Sequence, residues 1–332
     1  MQQSTLSDSA LIAYRTFRNS DPPLLAELWR SQASQRGLMQ PMSAALFDLL
    51  VLSKPIFDRQ GLILAVEREE GATKSRLAGF VHAAFGPRPD FAGLSTELGV
   101  ISMLMVRAPH LESPVATELL ARSEQYLRER GAKSLLAGGA RPYDPFYLGL
   151  YGGSELGGIL KSDVEAQQFY PAHGYHDVGH TTLLHRDLAC FRPIIDRRQM
   201  ALRRRFALRI TPDPPAKSWW EACTFGSFDR FRYDLVVQAT GKSVGSVTFW
   251  DMQPISSMWG VRAAGLVDLE MVASERRQGG ATFLMGEAFR HLQTQGYSLV
   301  EAQVASTNPA GRAAFDKMGF TPIDESIIYR KD

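Results

Sequence analysis

The sequence predicts a mixed α/β protein of two domains that repeat one order of elements. Three observations carry this. The chain has 332 residues, which at ~150 residues per domain suggests about two domains. Hydrophobic residues make up 45% and charged residues 22%, a balance that supplies two cores. The strand and helix patterns before residue 188 return in the same order after residue 206, as in a diverged tandem repeat.

In the first half, Ile12–Phe17 reads as a strand, and Asp21–Ser34 and Ser43–Leu52 as helices, with Leu24, Leu25 and Leu28 at helical spacing. Leu62–Glu67 and Leu77–Phe85 are two strands around a charged turn, and Leu98–Val106 is a third. Pro114–Arg130 is a helix with Ala116, Leu119, Leu120, Ser123 and Leu127 on one face, ended by a C-cap glycine, Gly131. A short strand, Ser134–Ala137, precedes a Gly- and Tyr-rich loop, Gly138–Gly158. Helix Asp163–Ala172 and two strands near Tyr175 and Thr182 close the unit.

The linker lies between Leu188 and Arg205 and holds six arginines from Arg192 to Arg205. Ile194–Arg205 suits a short basic helix, read as a solvated connector in preference to an anion-binding patch. The second half runs strand Phe206–Ile210, short helix Ser218–Cys223, hairpin Tyr233–Ala239 and Ser243–Trp250, and strand Leu266–Val272. Helix Gly279–Gln295, strand Tyr297–Val304, helix Asn308–Met318 and strand Ile327–Arg330 complete it. This divides the chain into a first domain at 1–188, a linker at 189–205 and a second domain at 206–332. Ala281 and Asn308 are 27 residues apart, whereas the matching Ala116 and Asp163 are 47 apart. The excess of 20 is about the length of the Gly138–Gly158 loop, which reads as an insertion.

The formal net charge is +2, so there is no strong electrostatic reason to hold nucleic acid or an anionic membrane. Two cysteines, Cys190 and Cys223, exclude a disulfide scaffold and a Cys-rich zinc site. No apolar run nears ~18 residues, and Met1–Asp8 lacks the order of a signal peptide. A cytoplasmic protein is expected.

The stretch from Met271 to Ala281 follows a strand and opens a helix. Glycines there let an anion approach the backbone without a Cβ clash. The unpaired amides and dipole of the helix start would face it, with Arg276 and Arg277 nearby. A glycine-softened turn would look the same. It is not a P-loop, because no Gly-Lys-Ser/Thr follows, and the G-x-G-x-x-G spacing is absent.

Arg276-x-x-Gly279-x-Ala281 resembles the R/Q-x-x-G-x-G/A acyl-CoA motif of the GNAT superfamily of N-acyltransferases. Asn308, Gly311, Phe315, Gly319 and Phe320 match that family's N-x-x-A-x-x-x-Y-x-x-x-G-F helix, with Gly for Ala and Phe for Tyr. The first half carries an echo in Asp163, Ala166, Tyr170, Gly174 and Tyr175. Its loop is degraded: Leu111 stands where Arg is expected, and Pro114, which lacks an N–H, where the first Gly is expected. The resemblance implies two GNAT-like domains, each a mostly antiparallel twisted sheet flanked by helices, with the first poor at binding CoA.

It further implies transfer of an acetyl or other acyl group from acyl-CoA, as co-substrate, to a small-molecule or peptide amine. The cofactor would lie on Met271 and Val272, on Arg276, Arg277 and Gln278, on Gly279, Gly280 and Ala281, and on Asn308 and Phe315. Such chemistry needs a base for the amine, an amide for the oxyanion and an acid for the thiolate. The oxyanion donor would come from around Met271 and Val272. The family's acid is a tyrosine, and Phe315 stands there.

Asp268 and Glu270 alternate along one strand face and are candidate bases; being exposed or paired with arginines is the alternative. Glu270→Gln should then lower turnover much more than acyl-CoA affinity. Tyr170 would be the acid only if it reached the second domain's thioester. His173, His176, His180 and His185 lack metal-site spacing, so no metal is expected. Trp219, Trp220, Trp250, Phe225 and Phe228 suit a core before an acceptor pocket. The Gly138–Gly158 loop, with Tyr143, Phe146, Tyr147 and Tyr151, suits either. The rival to an enzyme is a non-catalytic acyl-CoA-binding or sensing protein of the same fold. Homo-oligomerisation is left open.

Overall fold

The computed structural model describes residues 11–68, 75–110, 113–193 and 196–332. Met1–Asp8 and Leu111 therefore lie outside the described residues. The first half runs β1 (Leu11–Thr16), α1 (Pro22–Arg30), α2 (Ala44–Phe47), β2 (Leu62–Arg68), β3 (Arg76–Pro87) and β4 (Leu94–Val106). It continues with α3 (Val115–Glu129), β5 (Ser134–Ala137), β6 (Ile159–Leu160), α4 (Val164–Ala172) and β7 (His176–Asp187). Helix α5 (Arg197–Arg205) connects to β8 (Phe206–Pro212), α6 (Trp219–Phe225), β9 (Arg230–Val237), β10 (Ser243–Asp251) and α7 (Gln253–Ser256). Then follow β11 (Ala263–Met271), α8 (Gly280–Thr294), β12 (Leu299–Ala305), α9 (Pro309–Lys317) and β13 (Thr321–Lys331).

The expected repeat is present, with local corrections. The first expected helix is shorter, and the second is one α-helical turn continued as a π-helix, Asp48–Leu52. A single strand, β7, replaces the two expected near Tyr175 and Thr182. The last strand begins at Thr321, because the Gly319 turn (φ 76°) already reverses the chain.

Among the described residues the strands form one sheet in the order β1-β2-β3-β4-β5-β13-β7-β12-β11-β10-β9-β8, with β6 on β13. The order is palindromic, and the two innermost strands are exchanged. β7 of the first half pairs with β12 (Leu299 opposite Asp187), and β13 of the second half pairs with β5 (Tyr329 opposite Ala137). β7 and β13 also pair with each other. The halves are thus interlocked through the sheet's centre.

Two cores lie beneath the long helices. Leu119, Leu127 and Tyr170 belong to the one under α3 and α4, and Leu284, Phe289 and Phe315 to the one under α8 and α9. On the opposite face one core spans both halves, joining Trp29, Phe47 and Tyr147 to Trp220, Phe225 and Trp250. Phe146, Tyr147 and Tyr151 of the long loop and Trp220 and Trp250 are therefore core, whereas Tyr143 and Trp259 are half-buried and Trp219 is exposed.

In each half two neighbouring strands part midway. β4 and β5 pair in parallel only from Leu98 to Ile101, and β11 and β12 only from Ala263 to Leu266. The register on the other edge skips one residue at that point, Ser102 on β4 and Val267 on β11. Such a bulge bends and twists its strand, so each half holds a V-shaped gap facing the start of α3 or α8.

Candidate active site

At the second half's gap, β11 runs through a 3-10 turn, Ala273–Glu275, into α8. Gly279 is the N-cap of α8 at φ 84°, a left-handed conformation open to glycine. Gly280 lies under the Met271 side chain, whose Cε stands 2.8 Å from where a Cβ would be. The first intrahelical bond is Phe283 N–H to Gly279 O at 3.0 Å, so the amides of Gly280, Ala281 and Thr282 open the helix without acceptors inside it. Arg276 Nε donates to Met271 O at 3.0 Å and Gln278 Nε2 to Ser274 O at 2.7 Å, which fixes the loop's shape.

The linker helix α5 is largely exposed and buries Leu202, and it also pairs with the edge of this site. Its Asp196 cap accepts from Gln199 N, Arg205 pairs with Glu275 at 2.6 Å, and Arg203 pairs with Glu287 of α8. Arg198 comes within 3.0 Å of the point where a Gly279 Cβ would stand. Arg198 therefore stands at the helix start, beside the loop that carries Arg276 and Arg277. The sequence missed Arg198 because an arginine run reads as solvated until its packing is known.

Val272 N–H donates to Val244 O at 3.0 Å and is spent in the sheet. Backbone groups alternate across a strand, so it is the Met271 amide that faces the gap. Asp268 and Glu270 share a face as expected, but Lys217 Nζ reaches both, at 3.1 and 3.2 Å.

The long loop of the first half fills this side of the second half's sheet. Trp250 Nε1 donates to Ser154 O at 3.0 Å, Ser154 N–H to Glu301 Oε1 at 2.6 Å, and Gln303 Nε2 to Glu155 O at 2.6 Å. Gly153 (φ 98°) is required there, since a Cβ would lie 2.0 Å from Glu301 Oε1. Arg141 Nη1 donates to Val267 O at 2.6 Å and to Glu155 at 2.7 Å, and its Nη2 to Asp268 at 3.2 Å.

Beside these residues is a cavity of about 270 Å³ lined by Arg141, Asp144, Lys217, Trp220, Glu221 and Asp268. Asp144 is 3% exposed, and burial pushes its carboxyl up to about 6 against the pull of Arg141 and Lys54. Burial likewise raises Glu155 to about 7, with Arg141 opposing. Lys54 is enclosed, and burial lowers it to about 8; its Nζ donates to Pro145 O and Thr224 O, each at 3.2 Å. Sequence reasoning missed Arg141, Asp144 and Glu155. Their one sequence signal is that they sit in the insertion that breaks the repeat's spacing.

The acetyltransferase (GNAT) family model matches residues 198–320. The GCN5-related glucosamine N-acetyltransferase region of a fungal multi-domain GH3 β-N-acetylglucosaminidase aligns with TM-score 0.69 at 14% identity, over 97% of this chain and 38% of that one. A tandem GNAT protein from the clavulanic acid biosynthesis pathway aligns with TM-score 0.65 at 16% identity, over 97% and 98%. A GCN5-related N-acetyltransferase from Sphaerobacter thermophilus aligns with TM-score 0.60 at 16% identity, over 96% and 95%. No curated protein matches the sequence. Residues 198–320 thus match the GNAT family, and the chain as a whole shares the fold of a tandem GNAT protein.

Two GNAT motif positions act structurally in both halves. Asn308 Oδ1 accepts from Gly311 N–H at 2.9 Å, and Asp163 Oδ1 from Ala166 N–H at 3.3 Å, each capping its helix at about 1 kcal/mol. Phe315 is buried against Phe320, their centroids 5.0 Å apart.

Tyr170 is not part of the second half's site. It lines the first half's own cleft, about 560 Å³, with Met105, Ala116, Asp163, Ala166 and His173, and none of Met271–Ala281 takes part. It is buried and stacks near Tyr329, and burial raises its phenol well above the usual range. The fold explains this: α4 packs over the exchanged strand β13 on the first half's side of the sheet, where Tyr329 lies. Pro114 is the N-cap of α3 with no side-chain cap bond. His173 meets Phe169 O, His180 meets Asp177, and His185 meets Glu301, so the histidines do not converge.

Proposed function

We propose that this GNAT protein moves an acyl group from acyl-CoA, acetyl-CoA being the simplest donor, to an amine at the second half's gap. The observation that carries the reading is left-handed Gly279 opening α8 at the mouth of the β11–β12 gap, with Arg198 beside it and Arg276 and Arg277 in the loop before it. The orphan amides of Gly280 to Thr282 suit close approach of a pyrophosphate. Met271 and Val272, Gln278 and Ala281 belong to the same loop, and Asn308 and Phe315 of α9 are the further residues this reading gives to the cofactor. Bound there, acyl-CoA supplies an activated thioester carbonyl.

The protein's part is orientation and proton handling. The Met271 amide faces the gap and would donate to the developing oxyanion. Asp268 is tied by Arg141 and Lys217, and Glu270 by Lys217. That pairing favours orientation over proton abstraction for both. Asp144, held near 6 inside the small cavity, is the better base for an ammonium acceptor. The cavity's size and its carboxylates favour a small amine. Two full-length proteins, wild type and Gly279→Glu, should be titrated calorimetrically with acetyl-CoA. Binding by wild type only supports the reading, and equal binding by both removes it.

A non-catalytic acyl-CoA-binding protein is favoured by one observation: Phe315, which cannot donate a proton, is buried where the family places its acid. Tight acyl-CoA binding with no acceptor-dependent release of CoA thiol across a broad amine panel would establish it.

A further inference from the structure

The small cavity beside β11 is walled from both halves. Phe91, at the tip of the β3–β4 hairpin, lines it together with Pro142 of the long loop and Trp220 and Phe225 of α6. The tip reaches across to α6: the Trp220 N–H, one of that helix's first amides, donates to Phe91 O at 3.1 Å. Phe91 holds φ 55°, a left-handed conformation that favours glycine. The turn is bonded in that shape, Phe91 N–H to Arg88 O at 2.9 Å and Ala92 N–H to Asp90 Oδ1 at 3.0 Å. A bulky residue is strained at such a φ, and Phe91 remains 38% exposed, so packing does not account for its ring. Among the described residues the rings of Phe91 and Trp220 do not stack on each other. Trp220 instead meets Trp219, their centroids 6.4 Å apart.

The charges of the lining are already paired, with one exception. Arg141 holds Glu155 and Asp268, Lys217 holds Asp268 and Glu270, and Glu221 holds Arg230. Asp144, 3% exposed, makes no ion pair among the described residues; Arg141 and Lys54 act on it from beyond ion-pair distance. We infer that the cavity takes an arylalkylamine, a primary amine on a short arm from an aromatic ring, with the ring against Phe91 and Trp220 and the ammonium on Asp144. A buried carboxylate without a cation is costly until a ligand brings one. Aromatic walls favour a flat aromatic body over a saturated one of the same size, and an ammonium gains again beside an indole face. The volume, about 270 Å³, is at the small end of ligand sites and suits a single ring. The inference rests on the proposed acyl transfer in one respect: the bound amine is its acceptor. Phe91 then sets the acceptor's shape from one half while the other half supplies the turn proposed for the acyl donor.

Phe91 supplies the test, because Phe91→Gly removes the ring and relieves the backbone at once. Phenethylamine, 2-cyclohexylethylamine and 2-phenylethanol are titrated calorimetrically into the full-length wild type, F91G and D144N, without acetyl-CoA, and the Tm of each protein is recorded. Wild type should bind phenethylamine at least about fivefold more tightly than the saturated amine and at least about tenfold more tightly than the alcohol. F91G should keep or raise the Tm and lose the preference for the aromatic ring. D144N should lose the preference for the amine over the alcohol. Release of CoA thiol is then followed with acetyl-CoA and each amine. Phenethylamine bound with both preferences but never acetylated would leave the site standing and remove the acyl-transfer reading. Acetylation of the two amines at equal kcat/KM would keep that reading and overturn the inference. No binding of phenethylamine, or preferences unchanged in F91G and D144N, would also overturn it.

Discussion

Arg141, from the first half's inserted loop, donates to the carbonyl of Val267, the residue that the second half's β11 skips in its pairing with β10. One half thus supplies the partner for a backbone group that the other half's bulge leaves over. The same guanidinium holds Glu155 and Asp268. Arg141→Ala should cost about 2–4 kcal/mol, because it strands an acceptor and a carboxylate. The Glu155 side chain keeps 18% of its surface exposed, which argues for the lower end. Urea denaturation of wild type and variant measures this, and a loss under 0.5 kcal/mol would show the contact to be idle.

Asp144→Asn separates a base from a packing residue. Turnover should fall about 100-fold, a common size for removing a general base, with acyl-CoA affinity unchanged. Glu270→Gln, at a side chain that is 66% exposed and held by Lys217, should change turnover less than about threefold. The reverse ranking would return the role to Glu270.

The same carboxyls give a pH signature. Asp144 and Glu155 are raised to about 6 and about 7 in the folded state. Between their ordinary values near 4 and those values, the folded protein binds more protons than the unfolded chain. Stability contributed by these groups is therefore present at low pH and lost as pH rises from about 4 to about 7. Tm measured across that window should fall less steeply in Asp144→Asn than in wild type.

The exchanged strands predict that the halves do not separate cleanly. Residues 1–188 alone would leave β5 without β13, and residues 206–332 alone would leave β12 without β7. Each piece exposes an unpaired central edge. Each should be insoluble or poorly folded when made alone, and co-expression should recover soluble protein with native circular dichroism. A soluble, folded 206–332 fragment that binds acetyl-CoA would contradict this.

Much of the fold was legible because it rests on local signals. The Gly279 turn, the amphipathic α3 and α8, and the repeat's spacing are all written in short windows. The exchange of β7 and β13 was not, since both strands look the same in either pairing and the partner is chosen by sheet assembly. The turn proposed to take the cofactor was legible from Arg276, Gly279 and Ala281. Arg141 and Asp144 were not, because Val267, which Arg141 holds, and Lys54, which faces Asp144, are remote in sequence and the loop that carries them has no periodicity. Tyr170 fitted a motif but sits in the other half's cleft, because a motif places a residue within its own half only.

Tyr329 lies opposite Ala137 in the sheet, 192 residues earlier in the chain. At ~5–20 residues per second, the ribosome takes roughly 10–40 s to deliver β13 after β5 has emerged. Through that interval the growing chain carries a bare strand edge, and the contact that covers it spans more than half the chain, which slows its formation. Nascent copies on one messenger can offer each other the same edge. The interlock that binds the finished halves together therefore makes synthesis the protein's most vulnerable time, and its yield should depend on chaperone supply more than its final stability would suggest.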